Sequence, residues 1–407
     1  MALNTRKPIL ISGAGLASLL LGQSLLRASI PFLIFERDSS ISFRAQGYRL
    51  RLSTQGLDAI ESVLGPEQWK TFWNACGKTA GRGLAHLNAV TGTEVTQEAN
   101  GDRPPIVDQE AKGKPLDLGS RDGKIVGIAR GELRRLLYSE CKPFVHWSHH
   151  VTGYEVTSSG VRAVFADGSK SVEGDVLVGG EGVYSKVAKQ LSQGKLKVYD
   201  TGARGIHGQA PSTAFKGLGE GVWRMVDETK PNGRVFVITN VRPGDMDDPS
   251  VQFGWTLGAQ PGVVTAPNDD YAITGKPAAE IAKALTADWH PRVRPLFEQM
   301  AESEAAFWKI TCSTPDGVPE WKNEPRVTVI GDAAHSMTPA GGIGANTAFR
   351  DSALLGRLLR EAGGYADGVT AAYEKDMRVY ASEAVRASYG MAKSQFGVTI
   401  DENSPTV

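Results

Sequence analysis

Pro8-Ile9-Leu10-Ile11-Ser12-Gly13-Ala14-Gly15-Leu16-Ala17-Ser18 is the stretch whose reading decides the fold. An apolar run of strand length ends at Gly13, and residues 16–28 then carry helical character. Residues 31–35 read as a second strand, closed by Glu36, 21 positions beyond Gly15. Such a strand–helix–strand unit pairs its strands in parallel through a right-handed crossover. Gly13 allows the tight turn and Gly15 lets a pyrophosphate approach the backbone. The helix N-terminus adds oriented N–H groups and positive potential. Ser18 stands where a third glycine is usual, and is small enough to pack against the strand. Glu36 is placed to accept hydrogen bonds from a ribose diol, and an acid there favours an adenosine ribose without a 2′-phosphate.

The rest of the chain narrows the class. Lys plus Arg number 45 and Asp plus Glu number 45 in 407 residues, so the basic excess of a nucleic-acid binder is missing. The run over residues 9–26 follows Arg6 and Lys7 as a secretory signal would. Gly13, Gly15, Ser18, Gly22 and Ser24 interrupt it, however, and no clean cleavage site follows. No stretch of about 18 uninterrupted apolar residues exists, so no membrane span is expected. Cys76, Cys141 and Cys312 are sparse and far apart, which reads as reduced thiols and a cytoplasmic location. His146, His149 and His150 lack a fourth ligand, and no metal is expected. Helical patterns are predicted over residues 53–73, broken at Gly65-Pro66, and over 128–138, 278–285, 293–303, 345–359 and 369–395. A hairpin series covers residues 154–178, and residues 202–257 are β-rich.

A second motif is more specific. Val327-Thr328-Val329-Ile330-Gly331-Asp332-Ala333-Ala334-His335 continues through Pro339, Gly341-Gly342, Gly344, Ala345 and Asn346 into a helix. An aspartate between strand and turn can bind a ribityl hydroxyl. The glycines let backbone N–H groups reach a flavin edge, and the helix N-terminus stabilises negative charge near N1 of reduced flavin. His335 reads as a packing and hydrogen-bonding residue.

Together these motifs resemble the single-component FAD-dependent aromatic hydroxylases, the para-hydroxybenzoate hydroxylase-like monooxygenases, of secondary-metabolism type. The likeness covers nearly the whole chain. It includes Ile128-Ala129-Arg130-Gly131-Glu132-Leu133, whose arginine contacts FAD in that family, and the Arg44 to Arg51 segment with Gly47, which passes the flavin. It also includes Gly179-Gly180-Glu181-Gly182, where Glu181 replaces the family aspartate and Ala188 a following arginine. The resemblance implies FAD contacts from Gly13, Gly15, Glu36, Arg37, Arg44, Gly47, Arg130, Glu181, Asp332, Pro339, Gly342, Gly344, Ala345 and Asn346.

It also implies an α/β protein with three parts. These are a Rossmann-type FAD-binding domain (1–76, 120–190 and 320–366), an inserted, mostly antiparallel β-sheet substrate domain (77–119 and 191–319), and a C-terminal helix and tail (367–407). NADPH or NADH would act as transient co-substrate. One oxygen atom from O2 would pass, through a flavin C4a-hydroperoxide, to an electron-rich aromatic or polycyclic small molecule. Arg204, at the start of the β-rich block, is the catalytic candidate, with an exposed strand charge as the alternative reading. Trp223, Phe236, Phe253 and Trp255 are candidates to line the substrate pocket, or else sheet core. A flavin oxidase or dehydrogenase, or a non-redox FAD-binding protein, remains an alternative on the same scaffold.

Overall fold

The computed structural model describes residues 6–42, 49–80, 84–95, 120–242, 246–265 and 272–407. A five-stranded parallel sheet has the order Val327–Val329, Val176–Gly179, Ile9–Ser12, Phe32–Phe35, Val145–His146. Three of these strands are buried throughout, as parallel sheets covered on both faces must be. The helices Leu16–Arg27 and Gly344–Glu361 pack on each other, and Gly56 of the Thr54–Val63 helix abuts Asn346 in the first turn of the second. The expected strand–helix–strand unit is present, with its strand and helix bounds within a residue or two of the sequence reading.

An eight-stranded sheet has the order Ala272–Thr274, Ala306–Ser313, Val198–Pro211, Gln252–Ala259, Val235–Val241, Gly221–Asp227, Leu84–Asn88, Glu94–Val95. Its pairings are antiparallel except between Gly221–Asp227 and Leu84–Asn88. One face buries Ile206, Met225, Val237, Trp255 and Leu257 against Ala278 and Ala282 of the Lys276–Leu285 helix, with Trp289 and Phe297. On the other face Ala203, Phe236 and Ile310 meet Val385, Tyr389, Ala392 and Phe396 of the long Val369–Phe396 helix.

Two expectations are corrected. Gly77–Ala80 pairs with Lys124–Ala129, which also pairs with Arg49–Leu52, so this strand belongs to a separate three-stranded sheet. The large sheet takes its first strand only at Leu84. The helix expected over 293–303 is a single turn, Pro295–Glu298, because Ala301 N donates to Gln209 O of the sheet instead of continuing the helical ladder. Among the described residues no helix is long and apolar enough to cross a membrane.

Candidate active site

The N-terminal turn is built on close backbone approach. Gly13 has φ 87°, and a Cβ there would lie 2.6 Å from Gly180 O. Gly15 caps the Leu16–Arg27 helix in extended conformation, leaving the first-turn N–H groups directed outward from the helix end. Ser18 packs as expected: a Cβ on Gly180, just past the neighbouring strand, would come within 2.3 Å of its Oγ, so the serine and the glycine close on each other. Glu36 is buried, with Oε2 accepting from Ala14 N at 2.7 Å and Oε1 from Asp38 N at 3.0 Å. A carboxylate offers about four lone-pair sites, so Glu36 can brace the turn and still receive a diol. Arg37 beside it is exposed.

Arg134 was not singled out from the sequence. It is buried, donates from Nε to Ala14 O at 3.0 Å and from Nη1 to Ile41 O at 3.0 Å, and stands 3.9 Å from Glu36. Its only sequence signal was its place on the Arg130–Cys141 helix, one turn after Arg130.

The second motif forms the opposite lip. Asp332 is exposed to solvent, yet burial among protein atoms raises its carboxyl pKa, against the pull of His335 and Arg130. An acid that is both solvent-reached and desolvated lines a recess. Beneath it, Asp351 is fully buried. It accepts from Gly331 N at 2.7 Å, from Tyr380 OH at 2.7 Å, and pairs with His335 Nε2 at 2.6 Å. His335 is thus a structural anchor of the loop, as its motif position suggested; Asp351 carried no sequence signal.

Pro339 is exposed, Gly341 and Gly342 have φ 74° and 65°, and the Gly344–Glu361 helix follows with Gly344 and Ala345 half-buried at its start. The Asn346 side chain is engaged elsewhere. Its Oδ1 accepts from Ser53 N at 2.9 Å, and its Nδ2 donates to Arg51 O and Gly342 O at 3.0 and 2.8 Å. What Asn346 can present to a ligand is its backbone N–H. Glu181 likewise turns inward: Oε1 accepts from Val187 N at 3.1 Å, capping the Lys186–Leu191 helix. Arg44 and Gly47 lie outside the described residues.

Arg130 opens its helix within electrostatic reach of both Asp332 and His207. His207, on the Val198–Pro211 strand, is buried 5.1 Å from the Trp308 ring, and burial followed by Arg130 presses its pKa down to about 3. The recess therefore lies between the two glycine-rich turns, Arg130, and the sheet face that carries Ala203 and His207. Arg204 is on the other face. It is cross-strand from Ala259 and Lys309, and its Nη1 and Nη2 hold Asp200 at 2.8 and 3.2 Å. Side chains alternate along a strand, so Arg204 shares the face of Ile206, away from the recess. Trp223, Phe253 and Trp255 are core on that same far face, and Phe236 packs on Phe396.

Two helix N-termini, a desolvated acid and an arginine converging on one recess fit an extended dinucleotide with a ribityl chain, namely FAD.

Comparison with known proteins agrees. A family described as FAD binding domain matches residues 6–388. The dual O-methyltransferase/FAD-dependent monooxygenase elcB of Phaeosphaeria nodorum is 29% identical over 445 aligned residues, which cover 96% of this chain and 46% of elcB. The chain thus spans about half the length of that relative. The FAD-dependent monooxygenase thnD of Trichoderma harzianum is 26% identical, covering 86% of this chain and 82% of thnD. Among solved structures, Klebsiella pneumoniae HpxO complexed with FAD and uric acid superposes with a TM-score of 0.69 at 19% identity, over 95% of this chain and 88% of that one. That likeness speaks to the fold.

Proposed function

The chain belongs to the FAD binding domain family, and from that premise we propose that it is an FAD-dependent, NAD(P)H-driven monooxygenase that inserts one oxygen atom of O2 into an electron-rich aromatic or polycyclic substrate. The observation that carries this reading is the convergence of the Gly13 turn and its helix, the Gly331-Asp332 loop and Arg130 beside the sheet face that carries His207. Bound FAD would supply the transfer of electrons from nicotinamide to oxygen and the activation of that oxygen. The chain's own residues bind, orient and exclude water.

The Leu16–Arg27 N-terminus takes the pyrophosphate, and Glu36 and Asp332 take ribose and ribityl hydroxyls. Gly13, Gly15, Pro339, Gly342, Gly344, Ala345 and Asn346 contribute backbone approach, and the N-terminus of Gly344–Glu361 faces developing negative charge. Arg130 sits between Asp332 and His207, able to hold an anionic edge of the cofactor. His207, buried and held neutral by burial and by Arg130, adds no charge to this part of the sheet face. The names borne by elcB and thnD support the reaction class.

The test is purification with FAD followed by NAD(P)H oxidation and oxygen uptake against a panel of phenols and polyketide aromatics. Substrate-stimulated uptake with hydroxylated product is the expected result. Failure to bind FAD, or NAD(P)H oxidation that no aromatic compound stimulates, overturns the proposal.

A further inference from the structure

Asp351 gathers three donors around one buried carboxylate. Its Oδ2 accepts from Gly331 N at 2.7 Å and from His335 Nε2 at 2.6 Å, and its Oδ1 accepts from Tyr380 OH at 2.7 Å. Asp351 and His335 are both fully buried. The donors come from the turn after the Val327–Val329 strand, the short helix Asp332–His335 and the long helix Val369–Phe396. Asp351 therefore fixes the segment that carries Asp332 at both ends, at Gly331 and at His335. Among the described residues His335 Nδ1 has no hydrogen-bond partner, so the ring is gripped at one nitrogen, by Asp351.

The charges here depend on one another. Burial works against the cationic form of His335, yet Asp351 and Asp332 prevail and raise its pKa above the ordinary histidine value. At Asp332 burial raises the pKa, and the largest pull the other way is His335, ahead of Arg130. One cation is thus shared by two desolvated acids, which could not both ionise without it. Tyr380 and Tyr373, on the helix behind Asp351, have their pKa values raised by burial and then by Asp351, so both stay protonated. Arg350 lies 4.0 Å from the Tyr380 ring centroid. The Asp332–His335 helix also packs against the Gly182–Tyr184 turn, preceded by Glu181, and against the Ala306–Ser313 strand, which carries Cys312. Burial raises Glu181 to about 7 and Cys312 to about 12.

We propose that Asp351 is a positioning residue for cofactor binding: by holding His335 as a cation behind Asp332, it keeps Asp332 ionised and in place to accept a ribityl hydroxyl. An ionised acceptor matters because a charge-assisted hydrogen bond is about twice as strong as a neutral one. Buried beneath the loop, Asp351 acts through His335 and Gly331. This inference rests on FAD as the occupant of the recess, not on the oxygen transfer proposed above.

The experiment titrates FAD-free wild type, Asp351→Asn and His335→Gln with FAD from about pH 5 to about pH 8, reading the quenching of flavin fluorescence. Asparagine keeps an acceptor for Gly331 N and leaves His335 without its anion; glutamine removes the cation itself. Either change makes Asp332 harder to ionise, so acid overtakes it at a higher pH than in wild type. Each variant's affinity should therefore fall further behind wild type as pH drops, the gap widening by about tenfold or more across the range, the scale of losing one nearby opposite charge. Glu181 titrates in all three proteins and cancels from the comparison. A purely structural loss would lower affinity by the same factor at every pH. Thermal unfolding without FAD reports whether each variant has folded, and His335→Gln carries the test if Asp351→Asn has not. A gap constant in pH, a folded variant with wild-type affinity throughout, or wild type that binds no FAD overturns the proposal. Because binding is read rather than turnover, FAD binding without NAD(P)H oxidation would sink the monooxygenase reading and leave this result standing.

Discussion

Replacing Glu181 by Gln should change how stability depends on pH, in a direction set by the structure. Among the described residues the Glu181 Oε2 is buried with no hydrogen-bond partner, while Oε1 accepts from Val187 N. Burial pushes the carboxyl pKa up from 4.5 to about 7, with backbone hydrogen bonds pulling the other way. A folded-state pKa above the unfolded value means that the native state holds the proton more tightly. The contribution of Glu181 to stability is then fully present below pH 4.5 and is lost as pH rises toward and through about 7. Each unit of difference is worth about 1.4 kcal/mol, so the loss is about 3 kcal/mol at full ionisation.

Glu181→Gln keeps an oxygen for Val187 and removes the titration. Its amide nitrogen faces the same partnerless site, but at a cost that does not vary with pH. Urea unfolding of FAD-free protein, followed by tryptophan fluorescence from about pH 5 to about pH 8, should show the wild type losing about 2–3 kcal/mol relative to the variant across that range. Parallel curves for the two proteins would refute the reasoning and return Glu181 to an ordinary solvated acid.

Asp332→Ala should weaken FAD binding by about 1.5–3 kcal/mol, the worth of a charge-assisted hydrogen bond, measured by quenching of FAD fluorescence on titration. In wild type the raised Asp332 pKa makes FAD affinity fall with acid earlier than an ordinary aspartate would; an affinity flat in pH and unchanged in the variant rules the contact out. Arg204→Ala should lower stability, because Asp200 would lose its two-pronged partner and keep Gly202 N at 2.9 Å and Lys309 at 4.0 Å, while product formed per NAD(P)H consumed stays at the wild-type ratio; an uncoupled variant would restore a role at the reacting end. Gly180→Ala should disrupt the N-terminal turn through its 2.3 Å approach to Ser18 Oγ, and the double variant with Ser18→Gly should recover part of the lost stability, as read by thermal unfolding; two additive losses would show that the contact is not the cause.

The cofactor half of the molecule was legible because its signals are local. Strand, turn and helix follow one another within a dozen residues at Gly13 and again at Gly331, and the chemistry there is carried by backbone N–H groups that glycine exposes. Glu36 and Asp332 stand at strand ends, where position along the chain also gives position in space. Even there the sequence overstated two side chains, since Asn346 and Glu181 are engaged by the backbone of Arg51, Ser53, Gly342 and Val187. Arg134 and Asp351 escaped notice because their partners, Ala14, Ile41, Gly331 and Tyr380, come from other elements of the chain.

By itself, then, the sequence determined the parallel-sheet unit and the class of cofactor it suits. The substrate side was decided only in three dimensions. Arg204 and Arg224 both sit on strands rich in apolar residues, and composition does not distinguish them. A one-residue step along a strand reverses the face, and the irregularity between Asp200 and Arg204 displaces the register there. Pairing with Ala259 turns Arg204 to the face of Ile206, whereas pairing with Ile238 and His86 places Arg224 on the opposite face, that of His207. Strand partners are chosen by contacts between residues far apart in the chain, so the face a side chain occupies is a property of the assembled sheet.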